Sequence, residues 1–306
     1  MPTPPDDDGP PGGTGEGSAD SGADAPMDSS GAPDPTDDGD EGTSTGGPVA
    51  GECTPFPPVA DFAEPGPFGP MQEPGGDACT IFRPASLGDN GLRHPVILWG
   101  NGTTATPGVY GAVLQHWATH GFIVAAANTT NAGTGQEMIG CLNWVTAQND
   151  DPASPYADAV DLAHVGASGH SQGGGGTLMA GQDPRVTVTA PLQPYTEQGF
   201  GGYDQAAQSN QNGPMFLMSG DQDTISPPNP EQQRVFDDTN VPTIWGTLAG
   251  ANHIFTAIGN ISGYRSPATA WFRFHLMCDE LAGPVFYDDC TLCSDEAWTV
   301  QTKNWE

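Results

Sequence analysis

Residues 163–176 read Ala-His-Val-Gly-Ala-Ser-Gly-His-Ser-Gln-Gly-Gly-Gly-Gly: an apolar run, a serine between glycines, then three glycines more. The helical segment expected over 172–182 has to begin with that glycine run. Each glycine inside a helix costs about 0.5–1 kcal/mol against alanine. A chain that accepts this loss four times in succession needs its helix to press closely on its surroundings. Gly169-His-Ser-Gln-Gly173 fits G-x-S-x-G, and the strand before it and helix after it are the setting that pattern requires. Such a turn forces the serine into strained backbone and lifts Ser171 Oγ clear of a sheet. It also leaves the Gln172 N–H at a helix start, without an intrahelical acceptor. Ser171 is therefore the candidate nucleophile and the Gln172 amide a candidate oxyanion donor. A phosphate loop would end in Gly-Lys-Ser/Thr, and Lys303 is the only lysine in the chain.

The rest of the chain supplies a frame for this turn. Apolar runs at 79–83, 95–99, 121–127, 163–167, 186–190, 215–218 and 243–248 predict buried strands. Helical segments are expected near 107–120, 134–149, 172–182, 229–239 and 267–277. Runs rather than alternation mean strands covered on both faces, as in a parallel sheet with crossover helices. The fold class is α/β, a mostly parallel central sheet with helices on both sides. No large lid is expected, because little chain intervenes between Ala190 and Pro214.

A serine nucleophile in this setting belongs to the α/β-hydrolase fold, where the chain order is Ser, then Asp or Glu, then His. Only His253 and His275 follow Ser171. His275 lies in an aromatic helical segment, where a packed histidine is expected. His253 lies in a loop of small residues just after a predicted strand, where such folds place their chemistry. His253 is the candidate base. For the acid, Gly220-Asp-Gln-Asp-Thr-Ile-Ser-Pro227 offers both Asp221 and Asp223. Asp223 is favoured, because Ile225 and Pro227 fix the loop beyond it. Asp221 reads as a turn residue bonding its own backbone. The second oxyanion donor is expected from Gly100-Asn-Gly-Thr-Thr104, at the Asn101 N–H.

Gly169-His-Ser-Gln-Gly-Gly-Gly-Gly176, Asp223-Thr-Ile-Ser-Pro227 and Gly250-Ala-Asn-His253, in that order, resemble the bacterial cutinase-like, PET hydrolase-like polyester hydrolases. The likeness runs from about Gly66 to near the C-terminus. The resemblance implies a serine ester hydrolase acting through an acyl-enzyme on polyesters or other bulky esters, without cofactor or metal. It implies Ser171, Asp223 and His253 as triad, Asn101 and Gln172 as oxyanion donors, and Tyr195 and Ile225 as substrate contacts. The alternative is a small-ester, lipase or lactone hydrolase of the dienelactone-hydrolase-like branch. A non-catalytic surface protein on the same fold is a third reading. Members active on aromatic polyesters usually carry an aromatic residue at the Asn101 position, and often Met at Gln172 and Trp at Tyr195. The site here is correspondingly more polar.

Charge and cysteines bear on partners and compartment. With 7 Lys+Arg against 38 Asp+Glu, the net charge of −31 disfavours nucleic acid and anionic membrane as partners. Residues 1–52 combine acids with Gly, Pro, Ser and Thr and contain no Lys or Arg, so they are expected to be a disordered tether. Residues 53–306 are expected to form the catalytic domain, as a monomer. No apolar run is long enough to span a membrane. Six cysteines suit three disulfides and an oxidising compartment, so a secreted or cell-surface protein is expected, its signal peptide absent from this chain. Cys290 and Cys293 are expected to pair, since no second CxxC completes a metal site. The other four thiols admit three pairings; Cys79 with Cys141 and Cys53 with Cys278 is the one adopted.

Overall fold

Aliphatic runs build the centre of the molecule, and polar segments close its edges. The computed structural model describes Cys53 and residues 55–305; the segment expected as a tether, 1–52, lies outside the described residues. The strands are β1 (Pro70–Gly75), β2 (Cys79–Pro84), β3 (His94–Gly100), β4 (Ile123–Ala127), β5 (Val160–His170), β6 (Val188–Leu192), β7 (Met215–Gly220), β8 (Thr243–Leu248) and β9 (Trp298–Lys303). They form one sheet in the order β1-β2-β4-β3-β5-β6-β7-β8-β9. Strands β3 to β8 are parallel. The pairs β1–β2, β2–β4 and β8–β9 are antiparallel.

Successive residues of a strand face opposite sides, and β3 shows how the two layers follow. Ile97 and Trp99 join a core with Val113, Leu114 and Trp117 of α1 (Gly111–Thr119). Val96 and Leu98 join the other core, with Met138, Leu142 and Val145 of α2 (Gln136–Asp150). The remaining helices are α3 (Gln172–Ala180), α4 (Gln233–Asp238), α5 (Arg265–Met277) and α6 (Thr291–Ser294). Trp271 and Phe272 place α5 on the α1 side. This is the α/β-hydrolase arrangement. Between β6 and β7, the described chain carries two short 3-10 turns, Phe200–Gly202 and Gln205–Ser209.

Strands β1 and β9 have no counterpart among the apolar runs. Both are edge strands with one wet face, and β1 contains two prolines, which an edge tolerates and a central strand does not. The disulfides join Cys53–Cys278, Cys79–Cys141 and Cys290–Cys293. Among the described residues, no helix is long and apolar enough to cross a membrane.

Candidate active site

Ser171 stands between β5 and α3 with φ 57° and ψ −120°, a conformation an L-residue holds only when its surroundings impose it. The glycines show what imposes it. A Cβ on Gly173 would run into the Gly100 carbonyl, and one on Gly169 into the Gly173 carbonyl. One on Gly174 would sit 2.8 Å from Pro194 Cα, and one on Gly175 2.7 Å from the Tyr195 carbonyl oxygen. One on Gly176 would strike the Ala132 carbonyl. All four glycines therefore meet backbone from three neighbouring loops. The start of α3 is wedged among the segments after β3, β4 and β6.

The loops after β5, β7 and β8 bring three predicted residues together at the carboxyl end of the sheet. Ser171 Oγ donates to His253 Nε2 at 2.8 Å, and His253 Nδ1 donates to Asp223 Oδ2 at 2.7 Å. The other carboxylate oxygen, Asp223 Oδ1, accepts from the Ile225 N–H at 2.9 Å and the Ser226 N–H at 2.8 Å. The three side chains are buried. Such a row can take a proton from a hydroxyl while the carboxylate holds the imidazole in one tautomer. His275 is packed on Trp271, with ring centroids 4.1 Å apart. Burial pushes it down to about 3.

Asp221 differs from expectation. Its Oδ1 accepts from the Gly250 N–H at 2.7 Å, so it ties the acid loop to the base loop instead of bonding its own turn. The reason lies in the sheet: β7 and β8 are adjacent, and their following loops meet.

Asn101 is buried, its Nδ2 donating to the carbonyls of Ala127 at 2.7 Å and Thr129 at 3.0 Å. That side chain fixes the loop after β3 to the one after β4. The Tyr195 N–H donates to the Ser171 carbonyl at 2.9 Å. Its hydroxyl donates to Glu197 at 2.7 Å, and its ring meets Phe200 edge-on at 4.6 Å. Ile225 is exposed next to the acid.

Sequence reasoning passed over several groups around this site. Glu231 accepts from Thr196 N at 2.8 Å and Thr196 Oγ1 at 2.7 Å. Buried Gln232 donates to the Pro194 carbonyl at 3.1 Å and the Ser226 carbonyl at 2.9 Å, joining the Tyr195 loop to the acid loop. These partners are more than thirty residues apart or lie across a loop, and no local pattern announces them. Also unforeseen is the character of the rim. Val109, Phe200, Ile225, Ile254 and Phe255 are exposed, and stretches 101–111, 128–136 and 249–264 contain no Asp, Glu, Lys or Arg. A cleft of about 800 Å³ lined by Phe274, Phe286, Tyr287 and Trp305 lies elsewhere. Its Thr302 pairs with Ile244 near the start of β8, whereas His253 follows the end of that strand.

Sheet order, elbow and the Ser–Asp–His sequence of loops together define an α/β-hydrolase. The chain matches the PET hydrolase-like family over residues 75–286 and belongs to it. It is similar to cutinase 2 of Thermobifida cellulosilytica, 24% identical over 227 residues, which cover 69% of this chain and 80% of that one. Cutinase cut1 of Thermobifida fusca is 24% identical over 227 residues, covering 69% and 66%. A bis(hydroxyethyl) terephthalate hydrolase of Streptomyces coelicolor is 28% identical over 154 residues, covering 48% and 45%.

Proposed function

We propose that the protein is a serine ester hydrolase that acts through an acyl-enzyme on bulky, uncharged esters, polyesters among them. The observation that carries this reading is the unbroken row from Ser171 Oγ through His253 to Asp223, at 2.8 and 2.7 Å. His253 Nε2 takes the Ser171 proton as Oγ attacks the ester carbonyl. The Gln172 and Asn101 N–H groups meet the oxyanion, aided by the start of α3. The tetrahedral species collapses, and His253 passes its proton to the departing alkoxide. A water, deprotonated by the same imidazole, then releases the acid and restores Ser171.

Substrate class follows from the rim. Val109, Ile254 and Phe255, exposed on stretches without charge, favour a neutral, extended substrate over an ionic one, while Phe200 and Ile225 share their loops with Glu197 and with Asp221 and Asp223. The cutinase names of the relatives agree with this. Three disulfides support an oxidising compartment, and with it a secreted or surface-held enzyme whose residues 1–52 act as tether.

Ser171→Ala assayed on a short p-nitrophenyl ester tests the reaction: turnover should fall at least about 10⁴-fold, and undiminished turnover ends the reading. Product analysis after incubation with poly(ethylene terephthalate), an aliphatic polyester and a triglyceride tests the substrate. Release of acid from neither polyester would turn the assignment toward small esters or lipids.

A further inference from the structure

A second row of polar side chains runs beside the triad. The Gly102 N–H, next to Asn101, donates to Tyr110 Oη at 3.2 Å, and Tyr110 Oη lies 2.9 Å from His170 Nδ1. His170 directly precedes Ser171, and its ring centroid is 4.7 Å from that of His253. Gln193 follows β6, buried and in left-handed backbone with φ 42°. Its Nε2 donates to the Asn252 carbonyl at 3.3 Å and to Tyr264 Oη at 3.2 Å. Tyr264 Oη in turn donates to the Ser219 carbonyl at 3.0 Å, near the end of β7. The row thus touches the oxyanion loop, the elbow, the base loop and the strand leading to the acid.

Counting protons assigns the tautomers. Tyr110 is buried and its Oη accepts from Gly102, and His170 Nδ1 is the acceptor within reach among the described residues, so the phenol hydrogen goes to His170 Nδ1. That nitrogen is then an acceptor, and a neutral imidazole carries its proton on Nε2. Burial, and after it the neighbouring His253, push His170 down to about 3, so the ring stays neutral. His170 Nε2 and Gln193 Oε1 are both buried without a partner at ordinary distance. The hydrogen-bonding groups that face the ring are the His253 backbone and the Gln193 side chain. A leftover donor and a leftover acceptor, side by side and out of water, complete one another.

We propose that His170 and Gln193 are positioning residues for His253: a neutral, Nε2-protonated imidazole and its partner amide hold the base loop against the elbow. The inference rests on the serine-hydrolase reading. Both side chains are buried and act through His253 in this reading. The other groups bonded to the two imidazoles are Ser171 and Asp223 at His253 and Tyr110 at His170, while Tyr264 meets the row through Gln193. Burial pushes Tyr110 up to about 12 and Tyr264 above its ordinary range, so neither phenol ionises near neutral pH.

The test uses Gln193→Leu, which removes the amide at similar volume, and Tyr110→Phe, which removes one oxygen and leaves the strained backbone alone. On a soluble p-nitrophenyl ester, each should lower kcat about tenfold or more, as misplacement of a catalytic group does, with KM within about twofold. The double variant should lose less than the product of the two, because both cut one row. Proton NMR of the low-field His253 Nδ1–H, bonded to Asp223, should show that resonance shifted or broadened in both variants. That signal needs no turnover. An inactive wild type would therefore sink the hydrolase reading while the resonance still judged the positioning. Folded variants with kcat within about twofold of wild type and an unmoved resonance overturn the proposal, as do losses that simply multiply.

Discussion

Two pairs of buried histidines occupy this molecule, and their rings are equally close: 4.7 Å between His170 and His253, and 4.7 Å between His116 and His120. Burial depresses both members of the second pair, His116 to about 4 and His120 to about 3, with Arg265 and Arg273 adding to it. His170 is depressed to about 3 for the same leading reason. Neither proximity nor a displaced pKa therefore separates a chemical site from a structural one. The outer nitrogens do. His253 leads to a hydroxyl and a carboxylate. His116 and His120 donate through Nε2 to the carbonyls of Phe62 and Glu64, both at 3.1 Å, and so pin the segment ahead of β1 against α1.

The largest effect expected from this contrast is in turnover. Asp223→Asn removes the acceptor that fixes the His253 tautomer, and kcat on a soluble ester should fall about 10³–10⁴-fold. His120→Gln keeps an N–H for the Glu64 carbonyl and should change kcat less than about twofold at neutral pH, since His120 lies outside the proton path. Comparable losses in steady-state assays of the two variants would erase the distinction between the pairs.

Stability against acid should show the opposite ranking. An unfolded imidazole titrates near 6.5, whereas folded His116 and His120 do so at about 4 and about 3. Between those values the unfolded chain binds more protons, so stability is full above about pH 6.5 and falls as pH drops toward 4 and then 3. Each such group contributes at most about 1.4 kcal/mol per pH unit across its interval. Urea midpoints at pH 7 and pH 4.5 should therefore converge in a His116→Gln, His120→Gln double variant relative to wild type. Parallel losses in the two proteins would mean that other groups, such as buried His94, carry the acid sensitivity.

How much of this was legible in the chain divides along the same line. The central strands could be read because burial on both faces demands unbroken apolar runs. Polar, proline-bearing β1 could not, nor could the alternating β9. Ser171, Asp223 and His253 were visible as three residues because elbow, acid loop and base loop each follow a strand, and strand order sets the order of loops. Asp221 against Asp223 was a choice between neighbours that only the meeting of two loops resolves. Gln193 was out of reach: its role depends on a positive φ and on partners from Asn252 to Tyr264, brought near by the sheet. The glycines were legible as a demand for space, and the structure names the carbonyls that make it.

The smallest effect concerns what the two regions show to solvent. The Asn252 Oδ1 accepts from the N–H of Ile254 at 3.1 Å and of Phe255 at 2.8 Å, a turn that holds both apolar residues on the rim. Phe255 is 85% exposed there, on a loop without charge. Leu281, 62% exposed, belongs to the other region: its N–H donates to Asp279, the partner of Arg273, which bonds the Pro57 and His120 carbonyls. Burying a phenyl ring fully is worth about 1.5–3 kcal/mol, and laying one face on a film a fraction of that. In the Ser171→Ala background, where nothing is cleaved, Phe255→Ser should weaken depletion of protein onto a neutral polyester film by about three- to tenfold. In the active background it should leave turnover of a soluble ester within about twofold, since the ring is not part of the row from Ser171 to Asp223. Leu281→Ser should alter neither. Equal weakening by both substitutions would make adsorption a property of any exposed apolar side chain, and the uncharged loop 249–264 would lose its claim to be the face that meets the polymer.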